Sequence, residues 1–168
     1  MEPKIVQRGA TLVAGYVHKT TGGNNTIPAF WGEISADGRL KALHGQDFAA
    51  SHADYGICFN MVGDDMDYLV GLEVKAGAAV PAGFETLELP CGEYAVFTVP
   101  PCGNEEFVPA LMNVWQNSEK WLAAAGYARA EEACDFELYK CDCKEDVMCE
   151  SCETGLMHVD ICIRVEKL

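Results

Sequence analysis

Alternation of apolar and polar positions is most regular between residues 83 and 101. Phe84, Thr86 and Glu88 fall on one side and Glu85, Leu87 and Leu89 on the other; beyond Pro90-Cys91-Gly92 the run resumes as Tyr94-Ala95-Val96-Phe97-Thr98-Val99. A period of two with β-branched and aromatic content predicts one long strand. Proline and glycine cannot both sit in regular central pairing, so the middle should hold a bend or bulge rather than a chain reversal. Residues 4–19 show the same plan: Ile5-Val6, then Leu12-Val13-Ala14-Gly15-Tyr16-Val17, with a kink at Gly9.

Each kinked strand leads into a helix. Pro28 stands near a first helical position, and Ile27, Phe30, Trp31 and Ile34 follow at helical spacing. Residues 36–53 are weakly patterned and predict loop with a short helix. Tyr55 to Met61 alternates, Gly63-Asp64-Asp65 supplies turn chemistry and residues 67–75 form a second run, so the pair predicts a hairpin. In the second half, Asn104 suits an N-cap with Glu105 and Glu106 in the first turn, and a helix runs to about residue 125, where Gly126 stops it. Phe107, Val108, Leu111, Met112, Val114, Trp115, Trp121 and Leu122 give it a broad apolar face. Residues 136–140 and 157–165 supply the last two strands.

The order strand, helix, strand, strand occurs twice, in residues 1–76 and again in residues 83–168. The expectation is a single α+β domain of 168 residues, built from two antiparallel units with helices on one side of each sheet. The free sheet faces would then meet, with a cleft along the seam. In residues 67–75, Tyr68, Val70, Leu72 and Val74 share a face opposite Leu69, Gly71 and Glu73; in residues 134–140, Phe136 and Leu138 oppose Glu137 and Tyr139. If the more apolar faces pack on the helices, Glu73, Glu137 and Tyr139 look into the seam. A carboxylate in an aromatic hollow suits a lipophilic cation, because Coulomb attraction strengthens where water is excluded and rings add cation–π contact. The alternative is that these are ordinary polar residues on a solvated sheet face.

Composition narrows the partners. A net charge of −14, from 26 acidic and 12 basic side chains with no basic stripe, disfavours direct nucleic-acid binding. It suits solubility, a cationic ligand or a protein partner. No run approaches the roughly 20 apolar residues of a membrane helix and the amino terminus has no signal core, so the expected location is cytoplasmic. There is no H-E-x-x-H, G-x-S-x-G, P-loop or G-x-G-x-x-G, and the four histidines are dispersed, which takes support from common hydrolase, metalloprotease and nucleotide-binding readings. Nine cysteines cannot all pair. Cys141, Cys143, Cys149 and Cys152 form C-x-C-x5-C-x2-C within the second hairpin, residues 141–152. Four thiolates around one structural zinc would organise such a polar loop, with Cys134 and His158 as spare ligands; the C-x-C half also suits other soft metals, and free thiols or a redox pair are the alternatives to a metal.

Thr26-Ile27-Pro28-Ala29-Phe30-Trp31, Tyr55-Gly56-Ile57-Cys58, Asp67 to Val74, Leu89 to Phe97, Trp121 to Tyr127 and Asp135-Phe136-Glu137-Leu138-Tyr139 resemble, in that order, the GyrI-like effector-binding family over nearly the whole chain. The family includes ligand-binding domains of AraC-type and MerR-type multidrug-responsive regulators and standalone proteins. The resemblance implies a duplicated strand-helix-strand-strand fold with a cleft between halves, and a standalone binder of hydrophobic, cationic compounds with no organic cofactor. Glu137 best matches the family's cleft acid and Glu73 is second; Tyr139, Tyr94, Trp31, Phe59, Tyr68, Trp115, Trp121 and Tyr127 are candidate wall residues. Two other roles follow from the same family: hydrolysis of cyclopropane-bearing compounds with Glu137 or Glu73 acting on water, and interaction with a regulator or with DNA gyrase as an inhibitor.

Overall fold

A computed structural model describes residues 1–131, 134–140 and 154–168. The long N-terminal strand is divided into β1 (Lys4–Arg8) and β2 (Thr11–Thr21), and α1 (Ile27–Ala36) and α2 (Arg39–His44) follow. The first hairpin is β3 (Ala49–Val62) with β4 (Asp65–Val74). The second half runs β5 (Glu85–Leu89), β6 (Gly92–Thr98), α3 (Asn104–Ala124), β7 (Tyr127–Arg129), β8 (Phe136–Tyr139) and β9 (Val159–Lys167). The expected bent strand of residues 83–101 is thus interrupted at Pro90-Cys91, without reversing. The short strand β7 and the early start of β3 were not expected from the pattern. The four cysteines of the proposed metal site, together with the rest of residues 141–152, lie outside the described residues. Among the described residues no group of three or more His, Cys, Asp or Glu could hold a metal ion, and no helix is long and apolar enough to cross a membrane.

The strands form one antiparallel sheet, not two. Its order is β1-β6-β9-β8-β3-β4-β2-β5, with β7 on β9. The halves join where β3 pairs with β8, placing Gly56 opposite Glu137. At the far side β1 pairs with β6 and β2 with β5, so the two interrupted strands run antiparallel along each other and curl the sheet back on itself. Their breaks coincide: Arg8 faces Gly92 and Thr11 faces Leu89 across the kink. Gly92 has φ 152°, a conformation that glycine reaches freely and other residues rarely do, which lets the strand turn the corner.

Curling buries both sheet faces. Inside the curl, Val13, Tyr55, Ile57, Leu69, Leu89, Tyr94, Phe136 and Cys162 meet in one cluster, without any helix. On the other face α3 packs Leu111, Val114 and Leu122 on β6 and β9, while α1 packs Phe30 and Ile34 on Tyr68 and Val70 of β4. The helices therefore share one face, α1 and α2 from the first half and α3 from the second, and the sheet between α1 and α3 carries β3 and β8.

Candidate functional site

Between α1 and α3 lies a cavity of about 650 Å³ whose floor is β3 and β8. It falls between the two halves, as expected, but on the helix-bearing face rather than at a seam of bare sheet. Phe107, Leu111 and Trp115 of α3 wall one side, one helical turn apart, and Ile27, Pro28 and Trp31 of α1 wall the other. Tyr139 lies between them, its ring 5.0 Å from Trp31 and 6.0 Å from Phe107. Met61, Met66, Met112 and Met157 complete the apolar lining.

Glu137 is only 8% exposed at the floor. Its Oε1 accepts a hydrogen bond from Trp115 Nε1 at 2.8 Å; its Oε2 accepts from Tyr139 OH at 2.8 Å and from Tyr68 OH at 3.1 Å. Trp31 Nε1 donates to the Tyr68 hydroxyl at 3.1 Å, locking the buried phenol in place. Every donor is neutral. Burial raises the Glu137 pKa above the usual carboxylate range, although the three hydrogen bonds pull it down. Burial and the Glu137 charge push Tyr68 and Tyr139 well above the ordinary phenol range, so both remain donors. Cys58, also on the wall, is pushed up to about 12 by burial and by Glu137 and Asp135, and is a thiol rather than a thiolate.

The other wall carboxylates and the two wall cations have charged or chargeable partners. Arg129 binds Asp135 at 3.0 Å, Lys140 binds Asp160 at 2.6 Å, and Asp54 binds His44 at 2.8 Å. Among the described residues Glu137 is the wall carboxylate with no such partner.

Of the ten residues expected around a ligand, Glu137, Tyr139, Trp31 and Trp115 line this cavity, and Tyr68 stands directly behind Glu137. The remaining five do not. Glu73 points into the curl, accepting from Tyr55 OH at 3.0 Å, and Arg8 donates to that same hydroxyl at 3.2 Å. Tyr94 and Phe59 belong to the same interior, and Tyr94 OH donates to the Pro90 carbonyl. Trp121 packs on Phe97 and Tyr127 on the core beneath α3. The face assignment was correct for β4 and inverted for β8: Phe136 and Leu138 face the interior of the curl, a second apolar environment that needs no helix. The wall of α3 was legible in principle. Val108 and Met112 remain 46% and 39% exposed while Leu111, Val114 and Leu122 bury against the sheet, so the apolar face is wider than packing on the sheet uses.

Gly56 is what lets the network close. A Cβ there would stand 2.1 Å from the Tyr68 hydroxyl oxygen and 3.2 Å from Glu137 Oε2. Gly56→Ala is expected to push the phenol off the carboxylate and cost about 1–3 kcal/mol of stability. With one donor fewer, the Glu137 pKa should rise further, so any pH midpoint of ligand binding should move upward; an unmoved midpoint with unchanged stability would show that the phenol is not held there.

The model of the family described as "Cass2: Integron-associated effector binding protein" matches residues 4–165. A search of curated proteins returns no match. In fold the chain is similar to SAV2435 solved with tetraphenylphosphonium (TM-score 0.71, 17% identity, 99% of this chain and 94% of that one). It is similar also to the integron cassette protein VCH_CASS2 from the mobile metagenome of Vibrio cholerae (TM-score 0.65, 17% identity, 98% and 96%) and to the C-terminal domain of EcmrR (TM-score 0.65, 12% identity, 99% and 98%). Because the family match spans nearly the whole chain, and the fold around the cavity agrees with it, the protein belongs to the GyrI-like Cass2 family of integron-associated effector-binding proteins.

Proposed function

We propose that the protein binds hydrophobic, cationic small molecules in the cavity between α1 and α3, with Glu137 as the counter-charge. One observation carries this reading: a buried carboxylate, held only by neutral donors, on the floor of an apolar aromatic hollow. A charge taken out of water without a counter-ion is costly, and a cation entering the cavity offsets that cost. The rings of Trp31, Tyr139, Phe107 and Trp115 supply contact area and cation–π attraction without competing charges. Their fixed positions give shape selectivity, whereas four methionines tolerate ligands of differing outline. Tyr68 acts through Glu137 and is a positioning residue.

Tetraphenylphosphonium and tetraphenylborate share size and shape and differ in the sign of their charge. Titration of both, followed by the fluorescence of Trp31 and Trp115, is expected to give binding of the phosphonium and roughly hundredfold weaker binding of the borate, since attraction at Glu137 becomes repulsion. Equal affinities would reduce the site to an apolar hollow with no preference for charge. Incubation with cyclopropane-bearing compounds and mass spectrometry should return them unchanged; addition of water would make the chain a hydrolase.

A further inference from the structure

Asp54 is the second carboxylate on the cavity wall that a ligand could use. It lies on β3 two residues before Gly56, directly opposite Tyr139, while Glu137 lies opposite Gly56. The two acids are therefore diagonal neighbours on one sheet face, with Cα atoms about 7–8 Å apart. Asp54 Oδ1 is bonded to His44 Nε2 at 2.8 Å, and among the described residues Oδ2 takes part in no hydrogen bond. Its side chain is 17% exposed and it lines the same cavity as Glu137. The other wall carboxylate, Asp135, is occupied by Arg129 and by the backbone N–H of Arg164.

We propose, resting on the cation-binding reading above, that Asp54 forms a second cation-recognising position, so that the cavity selects aromatic dications over monocations of the same shape. Glu137 takes the charge enclosed by the rings, and Asp54 takes the one nearer α2. His44 sets the strength of the second position: an imidazolium cancels the Asp54 charge, whereas a neutral imidazole leaves it whole. Donating a hydrogen bond to the Asp54 carboxylate raises the His44 pKa against the opposing effect of burial. The groups facing His44 are few. From β3 these are Asp54 and the stacked ring of His52, 5.9 Å away; Lys41 precedes it on α2, and β4 presents Leu72 and Val74 to this helix.

The test uses p-xylylene-bis(trimethylammonium) and its monocationic analogue, in which one trimethylammonium is replaced by the isosteric tert-butyl group. Asp54→Asn is expected to weaken the dication about tenfold and the monocation less than twofold. An unchanged dication, or an equal loss for both probes, would overturn the proposal. Should the variant fail to fold, wild-type protein gives the same answer: the ratio of dication to monocation affinity rises with pH as His44 loses its proton, and titration of Glu137 affects both probes alike. A flat ratio overturns the role of Asp54 while monocation binding survives. Failure of both probes to bind wild-type protein overturns the cation-binding reading and this proposal with it.

Discussion

Glu137→Gln is expected to weaken binding of a lipophilic cation such as tetraphenylphosphonium by roughly tenfold or more, the scale of a charge-assisted contact partly shielded from water. The substitution keeps the size of the side chain and an acceptor for Trp115 Nε1, and the aromatic wall remains. What it removes is the charge. Binding of a neutral hydrophobic probe should therefore change little, and this split between probes separates loss of a counter-charge from collapse of the cavity. Equal weakening of both would assign Glu137 a purely architectural role.

The same carboxylate should make cation binding pH-dependent, with a definite sign. Burial raises its folded pKa above that of the unfolded chain. Its contribution to stability is then fully present below the unfolded value and is lost as pH rises through the folded one. Wild-type protein should gain stability relative to Glu137→Gln as pH falls through that window, while its affinity for the cation falls towards that of the variant. Binding stabilises the carboxylate and so releases protons when titrated near the folded pKa. Stability without ligand and affinity for ligand should thus oppose each other at one atom pair, as expected where a buried charge is kept for binding rather than for folding. Affinity that does not vary with pH through this range would remove Glu137 from recognition.

Periodicity made most elements readable, because their apolar residues alternate or recur every turn against a packed face. The two helices of the cavity, the first hairpin and the bend at Pro90-Cys91 were all visible in that way. Sheet closure was not, since it depends on the register of β1 with β6 and β2 with β5, partners about 70 to 90 residues apart, and no local pattern encodes it. The inversion of β8 has the same origin: Phe136 and Glu137 look like core and surface until the curl supplies a second buried face. Glu73 was grouped with Glu137 for that reason, and the two point to opposite sides of the sheet. The part Asp54 plays escaped notice because its partner His44 lies on α2, in the weakly patterned stretch of residues 36–53, and the cavity methionines come from β3, β4, α3 and the segment before β9, which no local pattern brings together.

Gly15→Ala should be among the most damaging single-methyl additions to the described fold. Gly15 of β2 lies directly opposite Gly71 of β4, both facing the interior of the curl. A Cβ at position 15 would stand 1.9 Å from the Val70 carbonyl oxygen and 2.5 Å from Gly71 Cα. These are backbone atoms of a strand paired on both sides, so neither can retreat as a side chain would. The expected cost is about 3 kcal/mol or more, a large part of the roughly 5–15 kcal/mol that holds a domain together. For a chain of this size that corresponds to a fall in Tm of roughly 6–12 °C. Gly9→Ala is the control, since nothing lies within 4 Å of its added methyl, and it should leave Tm unchanged or slightly raised. Because β4 carries Tyr68, separating β2 from β4 at Gly15 should also loosen the phenol on Glu137 and weaken cation binding. A Gly15→Ala protein that melts with the wild type would mean that the two strands do not cross this closely, and the sharp curl that encloses the interior cluster would lose its explanation.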